Sequence, residues 1–197
     1  MRDVAADLAM FETLLTSRLM LRRLVAADAG AILRYRNDPA VARYQSWAPA
    51  TGEEIRAFIA ALEGREPVVA GAWFQIGVTL RATGALVGDC GVHARADDRR
   101  QVELGITLAP AAQGRGLAAE ALRAILEYLF TRTGTHRVYA SVDPRNQPCV
   151  RLLKHVGLRQ EAHLIESLWL KGEWVDDMIF AILKREWTET NAPEPGR

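Results

Sequence analysis

The chain has 197 residues, of which 49% are hydrophobic and 25% are charged, which is typical of one soluble globular domain and excludes a wholly disordered chain. Its 25 basic and 24 acidic residues give a net charge of +1, which argues against a general nucleic-acid binder. The sequence shows no disulfide framework, metal-binding motif, signal peptide or apolar run of membrane-spanning length. We therefore expect a cytoplasmic protein that binds no metal, nucleic acid or membrane.

The first half of the chain is predicted to contain one strand, two helices and a meander of three strands. Alternating apolar and charged residues indicate a strand over Arg18–Leu24, and a short amphipathic helix follows, ended by Pro39. Thr51 and Glu54 form a capping box before a second helix through Leu62. Short links between the next three strand-like runs imply antiparallel pairing. These runs are residues 72–80, 85–94 and 101–108.

The second half is predicted to contain two helices, a strand between them and a closing hairpin. Apolar residues repeat at helical spacing from Leu117 to Leu129. Asn146 caps the second helix and Gly157 ends it, and residues 188–197 form a frayed tail. The strands are residues 136–142, Glu161–Leu170 and Trp174–Leu183. This order predicts a mixed α/β domain, with a largely antiparallel sheet of about seven strands and about four helices.

The segment Gln113–Ala118, with the sequence QGRGLA, joins the meander to the long helix. The first N–H groups of a helix have no partner within the helix and attract anions. Gly114 and Gly116 would let a phosphate approach the backbone closely. A tight strand-to-helix turn favours the same two glycines, so this segment alone leaves both interpretations open.

Two motifs in the second half resemble those of a known family. The segment GITLAPAAQGRGLAAEAL resembles the acetyl-coenzyme A motif of the GNAT N-acetyltransferases, Q/R-x-x-G-x-G/A, through Gln113, Gly116 and Ala118. The segment NQPCVRLLKHVGL resembles the family's N-x-x-S/A-x-x-x-L-x-x-x-G-F motif, through Asn146 and Leu153. The two motifs occur in the family's order and at suitable spacing.

A third likeness concerns the two ends of the domain. LTSRLMLRRL and GEWVDDMIFAIL are similar to segments of the RimJ/RimL-like branch, which includes enzymes that acetylate the N-termini of ribosomal proteins. The resemblance spans roughly residues 14–187, and its order of elements agrees with the order predicted from the sequence pattern. It implies a single GNAT-like domain and, as in many relatives, a homodimer.

The resemblance also implies that acetyl-CoA (acetyl-coenzyme A) is the acetyl donor. The backbone amides of the QGRGLA loop would hold its pyrophosphate, and the preceding strand would pair with its pantetheine arm. The residues expected to contact the coenzyme are Ile106, Leu108, Gln113, Gly114, Arg115, Gly116, Leu117, Ala118 and Asn146.

Acetyl transfer to an amine requires a base, because an alkylammonium must lose a proton before it attacks. The resemblance places Glu103 in this role, either directly or through a water; the alternative is an ordinary exposed strand glutamate. For the proton donor, many relatives have a tyrosine where this chain has Leu153, and the RimJ/RimL-like branch commonly has a serine where this chain has Cys149. We expect Cys149 to act there, although a thiol is a poorer donor than a hydroxyl.

The acceptor site is the least specified part of the sequence. Asp89 is a candidate for binding the positive charge of the acceptor, and Tyr44 and Trp47 are candidates for lining its pocket. Gln45, Trp169 and Trp174 are further candidates. His93 shares a strand face with Asp89, but a lone histidine there is more typical of a core or sheet edge. The resemblance implies an acceptor amine that belongs to a protein N-terminus or to a small molecule, and the sequence does not separate the two.

Two other functions fit parts of the sequence. A non-catalytic acyl-CoA sensor would use the same fold and the same loop. An NAD(P)-dependent oxidoreductase is suggested by the literal G-x-G-x-x-A match from Gly114 to Ala119. Its ribose-binding acid would be Asp143, which lies 29 residues after Gly114 rather than about 20, and a single β-α-β unit is too little for a doubly wound sheet.

Overall fold

The computed structural model describes residues 11–191, which are built around one sheet of eight strands in the order β1-β2-β3-β4-β5-β6-β8-β7. The strands are β1 (Leu14–Leu15), β2 (Leu19–Arg23), β3 (Trp73–Leu80), β4 (Leu86–Ala94), β5 (Gln101–Leu108), β6 (Arg137–Val142), β7 (Arg159–Leu170) and β8 (Glu173–Leu183). The helices are α1 (Ala29–Arg36), α2 (Pro39–Ala42), α3 (Gly52–Ala60), α4 (Leu117–Arg132), α5 (Gln147–His155) and α6 (Lys184–Asn191).

The predicted fold class is confirmed. Neighbouring strands are antiparallel except β5 and β6, which are parallel. The meander β3-β4-β5 and the closing hairpin β7-β8 form as the short links predict. The eighth strand is β1, whose two residues are too short to give an alternating pattern.

Pro39 begins a helix, which corrects the prediction that it ends one. The preceding helix α1 already ends at Arg36, and Asp38 caps the short α2 by accepting a hydrogen bond from the backbone N–H of Ala40 at 2.9 Å. Proline is well tolerated in the first turn of a helix because its missing N–H would have no partner there.

The predicted tail begins inside α6, so its boundary also differs. Trp187 is buried, with its ring centroid 6.2 Å from that of Phe130, and its indole N–H donates to Glu127 at 2.7 Å. Both partners belong to α4, so a contact with a distant helix, rather than the local pattern, holds α6 in place. Residues 192–197 of the predicted tail lie outside the described residues.

The sheet carries a hydrophobic cluster on each face. Helix α4 buries its apolar stripe, including Leu122, Ile125 and Leu129, in the larger cluster, as the helical spacing predicts. Fully burying a side chain of this type stabilises a fold by about 1.5–3 kcal/mol. The smaller cluster contains residues of α1 and α3. Side chains of α1 contact Asp89 of β4 on this face of the sheet. The next residue of the strand, Cys90, faces the α4 cluster on the other side, because strand side chains alternate. No helix within residues 11–191 is long and apolar enough to span a membrane.

Candidate active site

A cleft opens where two neighbouring strands part. β5 and β6 are paired only from Gln101 opposite Arg137 to Glu103 opposite Tyr139. Beyond that point β5 continues along β4 and β6 continues along β8. The cleft between them has a volume of about 320 Å³. Its polar and aromatic lining residues are Tyr44, Gln45, Ser46, Trp73, Glu103, Ser141, Asp143, Asn146 and Cys149.

Six residues selected from the sequence line this cleft together. They are Tyr44, Gln45, Glu103, Ile106, Asn146 and Cys149. They come from the segment after α2, from β5 and from the start of α5, so the parting of the strands brings distant parts of the chain to one place.

Glu103 lies at the point where the strands part. Its Oε2 is 3.4 Å from the hydroxyl of Tyr139 and 4.0 Å from Nδ1 of His93. Burial raises the pKa of Glu103, while the charge of His93 and the hydrogen bond from Tyr139 lower it by less. A carboxylate whose pKa is raised toward the working pH is better suited to accept a proton from an amine.

Helix α5 begins beside Glu103's cleft and places a thiol in it. The side chain of Asn146 accepts a hydrogen bond from the backbone N–H of Cys149 at 3.3 Å, which is the cap that the sequence predicts. Burial raises the pKa of Cys149 to about 11, so the thiol is protonated at neutral pH. A protonated thiol can donate a hydrogen bond, but it is a poor nucleophile.

The QGRGLA loop connects the end of β5 to α4. Gly114 and Gly116 have φ values of +71° and +75°, a left-handed conformation that glycine adopts without strain. Apart from its two chain neighbours, no atom of residues 11–191 lies within 4 Å of the position that a Cβ would take at Gly114, so the backbone is open to a ligand there. The side-chain amide of Gln113 donates to the carbonyl of Leu108 at 2.9 Å and fixes the loop to β5.

Arg18 contacts this loop, although the sequence analysis did not select it. Its guanidinium donates to the carbonyl of Arg115 at 2.9 Å and to the carboxylate of Glu120 at 2.6 Å. Burial alone would raise the pKa of Glu120, but hydrogen bonds from Thr16, Arg18 and Ser17 outweigh it and hold that pKa at about 2. The segment before β2 is thereby fixed to the start of α4. No local pattern signals a contact between residues 102 positions apart.

Asp89 and Trp47, two of the residues predicted to contact the acceptor, do not line this cleft. Asp89 is buried, accepts a hydrogen bond from the hydroxyl of Tyr35, and pairs with Arg36 at 3.3 Å. Trp47 packs on the same guanidinium, which lies 4.7 Å from its ring centroid. Both residues belong to the packing of α1 against β4 instead of the cleft, because α1 supplies the cation that neutralises Asp89.

The aromatic candidates of the last hairpin also lie outside the cleft. Trp169 and Trp174 contact each other across β7 and β8 with ring centroids 5.3 Å apart, and each is 58% exposed. Leu168 and Leu170 line the cleft instead. Adjacent residues of a strand face opposite sides, so a one-residue difference in register decides which of them reaches a site.

Tyr139 and Ser141 were missed by the sequence analysis. Tyr139 contacts Glu103 and Ser141 lines the cleft, because β6 is the parallel neighbour of β5 after the α4 crossover. The two residues share one strand face by alternation. The strand-helix-strand order from β5 to β6 was the available signal, since such crossovers place the two strands in one sheet.

A larger depression of about 540 Å³ lies between β1 and α4 and is lined by Leu14, Leu15, Glu127, Tyr128 and Thr131, among others. It includes neither Glu103 nor Cys149, both of which line the other cleft, so the chemistry points to the cleft between β5 and β6. Within residues 11–191, no group of three or more His, Cys, Asp or Glu side chains is placed to hold a metal ion.

Comparisons with known proteins place these features in context. Residues 18–159, from β2 to the start of β7, match the model of the acetyltransferase (GNAT) domain. The chain is 30% identical to the N-acetyltransferase p20 of Bacillus licheniformis over 177 residues, which cover 89% of this chain and 98% of that protein. A GNAT-family acetyltransferase of Bacillus anthracis superposes with a TM-score of 0.80 at 27% identity, covering 88% of this chain and 99% of that one.

A partial match concerns the branch of the family. The ribosomal protein uS5-alanine N-acetyltransferase of Escherichia coli is 32% identical over 94 residues, which cover 48% of this chain and 45% of that protein. This match agrees with the resemblance to the RimJ/RimL-like branch.

Proposed function

We propose that this chain, which belongs to the GNAT acetyltransferase family and is therefore an N-acetyltransferase, moves the acetyl group of acetyl-CoA directly to a primary amine. The observation that carries this proposal is the parting of β5 and β6, with Glu103 at its apex and a protonated thiol in its wall. The acceptor is a protein N-terminus or a small-molecule amine. The E. coli relative is named for an alanine of a ribosomal protein, which supports an amine of this class.

The loop and the parted strands fit the coenzyme. Gly114 and Gly116 leave the backbone open, and the first N–H groups of α4 attract a phosphate. Leu117 has its side chain buried in the core, so it would contribute its N–H alone, whereas exposed Arg115 would add a positive charge. The stretch of β5 through Ile106 is paired with β4 but not with β6, and its free side would hold the pantetheine arm by its backbone. Bound acetyl-CoA supplies an activated acetyl group.

Two side chains of the protein then act on the amine and on the leaving thiolate. Glu103 removes a proton from the acceptor ammonium, directly or through a water, and the neutral amine attacks the acetyl group. The thiol of Cys149 donates a hydrogen bond to the departing thiolate of coenzyme A. A cysteine thiol and a leaving thiol have similar intrinsic acidity, so the advantage of this donor is small.

The alternative functions fit the structure less well. The Asp143 carboxylate is paired with Arg145 at 2.6 Å, whereas a ribose-binding acid would need free acceptor oxygens. One parallel pair of strands in an otherwise antiparallel sheet is also unlike a doubly wound dinucleotide-binding fold. An acyl-CoA sensor would bind the same ligand without turnover, which an assay distinguishes.

An amine panel tests the proposed reaction. Purified protein is incubated with acetyl-CoA and, in turn, an alanine-terminated peptide, a serine-terminated peptide, a polyamine and an aminoglycoside, and the release of free coenzyme A thiol is followed. We expect at least one amine to be turned over, with a mass increase of one acetyl group on that amine. Binding of acetyl-CoA without turnover of any amine would favour the sensor instead.

Replacing Cys149 tests the role of the thiol. We expect Cys149→Ser to keep most of the activity and Cys149→Ala to lose roughly tenfold or less, about 1.4 kcal/mol in the barrier, because only a weak donor is removed. Mass spectrometry of the wild-type protein with acetyl-CoA alone should show no acetyl group on Cys149. A stoichiometric adduct that is discharged by adding an amine would contradict direct transfer.

We also propose that the protein is a cytoplasmic homodimer that associates through the β7–β8 hairpin. β7 is an edge strand, and apolar side chains of the hairpin are exposed, including Ile165 at 69%. Monomeric proteins rarely leave a large apolar patch open to water. The other exposed apolar residues of the hairpin that lie outside the cleft are Leu164, Trp169 and Trp174.

Ile165→Glu is expected to convert a dimer to a monomer, because the charge would have to be buried in the interface. Light scattering after size-exclusion chromatography measures the mass. Leu15→Glu is the matched control, since Leu15 is 64% exposed on the opposite edge strand and should leave the mass unchanged. A monomeric wild-type protein would contradict the proposal.

A further inference from the structure

The ring of His93 lies beside the base with one nitrogen unpaired. His93 on β4 is directly opposite Glu103 on β5. Its Nδ1 is buried from solvent and, among the described residues, makes no hydrogen bond. The nearest carboxylate oxygen is Oε2 of Glu103, at 4.0 Å.

The ring is also held in place from one side. It stacks on the indole of Trp73, with ring centroids 4.9 Å apart and an interplanar angle of 23°. Trp73 lies opposite His93 on the neighbouring strand β3 and lines the cleft. The stacking restricts the ring, so Nδ1 stays close to the carboxylate.

The gap between the two groups is suited to a contact that forms during the reaction. A distance of 4.0 Å exceeds hydrogen-bond range, and an approach of about 1 Å would bring it within range. Hydrogen bonds of catalytic groups are often long in the ligand-free enzyme and shorten in the reacting complex. A buried polar atom without a partner is unusual, and this one faces the group that the reaction needs.

We infer that His93 is a positioning residue for Glu103, donating a hydrogen bond from Nδ1–H to Oε2 when the acceptor amine is bound. This inference rests on the proposed function. Oε1 of Glu103 accepts no hydrogen bond from residues 11–191 of the structure and is left for the amine. One proton moves from the ammonium nitrogen to Oε1, while His93 keeps its own proton and fixes the other oxygen.

Several other groups around Glu103 also shift its pKa and thereby the pH dependence of the reaction. The Tyr139 hydroxyl on β6 contacts Oε2, Asp177 on β8 acts through space, and Arg95 and Arg137 act on Tyr139. Burial and Asp177 raise the pKa of Glu103, whereas His93 and Tyr139 lower it. A hydrogen bond from Nδ1–H to Oε2 favours the charged carboxylate, so loss of this donor should raise the pKa of Glu103 in the complex with the amine.

Two substitutions separate the donor from the packing. His93→Phe keeps an aromatic ring against Trp73 but removes the nitrogen, whereas His93→Asn keeps a side-chain amide near the position of Nδ1 and removes the ring. We expect His93→Phe to lower kcat about tenfold and to move the acidic limb of the pH profile of kcat to higher pH, because kcat reports the complex with bound amine. His93→Asn should stay within about threefold of the wild type, with the limb unmoved, and both should bind coenzyme A normally.

A wild-type rate and pH profile for His93→Phe would overturn the inference. Equal losses of activity in both variants, with the acidic limb of the pH profile unmoved, would also overturn it, because loss of packing alone would give that result. If His93→Phe fails to fold, His93→Gln replaces it, because its amide reaches the position of Nε2 instead of Nδ1.

Carboxyl ¹³C NMR of Glu103 in the unreactive complex with coenzyme A and the acceptor amine gives a readout that needs no turnover: its pKa should rise in His93→Phe and not in His93→Asn. Wild-type activity in a parallel Glu103→Gln variant would contradict the proposed base itself, which distinguishes that failure from failure of the role of His93.

Discussion

Replacing Glu103 with glutamine is expected to lower turnover at neutral pH by about 10²–10⁴-fold, the usual contribution of a general base. The amide has nearly the same shape as the carboxylate but cannot accept the proton of the ammonium. Coenzyme affinity should stay nearly unchanged, because Glu103 lies at the apex of the cleft and the coenzyme loop follows the other end of β5. Steady-state kinetics with a saturating amine, together with calorimetric titration of coenzyme A, measures the two effects separately.

The pH dependence adds a second check on Glu103. The base acts only when it is unprotonated, so activity is lost as the pH falls through its pKa. Because burial raises that pKa, the loss should begin at a higher pH than for an ordinary glutamate, whose pKa is about 4.3. Raising the pH should partly rescue Glu103→Gln, since more of the amine is then neutral without help.

Glu63→Gln serves as the control for this experiment, because Glu63 is exposed after α3 and away from the cleft. It should behave as the wild type at every pH. Wild-type turnover in Glu103→Gln from about pH 6 to 9 would remove Glu103 from the mechanism.

Gly116→Val should weaken coenzyme A binding at least tenfold, about 1.4 kcal/mol. Gly116 is the residue before α4 and has a φ of +75°. A valine there would be strained by about 1–2 kcal/mol, and its side chain would hinder the approach of a phosphate to the loop. A Cβ itself would lie 3.5 Å from Nη2 of Arg18, an ordinary contact, so the protein core is not disturbed.

The strain at Gly116 can be separated from the effect on binding. Gly134 follows the other end of α4 and has a φ of +73°. Chain neighbours aside, no atom of the described part of the chain lies within 4 Å of the position that a Cβ would take there. Gly134→Val should therefore lose a similar amount of stability but keep its coenzyme affinity. Unchanged affinity in folded Gly116→Val, measured by calorimetry, would refute this placement of the pyrophosphate.

Local signals predicted those elements whose structure is determined locally. The capping box of Thr51 and Glu54, the Asn146 cap and the stop at Gly157 all form, because each involves residues within one turn. Helix α6 was missed because the burial of Trp187 against α4 depends on a distant partner. The place of β8 between β6 and β7 was likewise not predicted, since it depends on the pairing of distant strands.

The candidate site divides in the same way. The motifs selected Asn146 and Cys149, and both lie in the cleft wall, because the N-cap and its helix form one local unit. Asp89 was assigned to the acceptor because the alternating pattern of a strand predicts which face a side chain lies on but not which residue packs against it. In the structure, Arg36 of α1 pairs with Asp89. His93 and Tyr139 meet Glu103 from two different strands, a juxtaposition that appears only once the sheet order is known.

The parting of β5 and β6 also links the stability of the fold to its ligand. Inside the domain it leaves a stretch of each strand paired on one side only. A ligand that fills this gap binds the folded chain and not the unfolded one, so at 100 times its Kd it stabilises the fold by about 2.7 kcal/mol. The resistance of this protein to heat and to proteolysis should therefore follow the supply of coenzyme A around it.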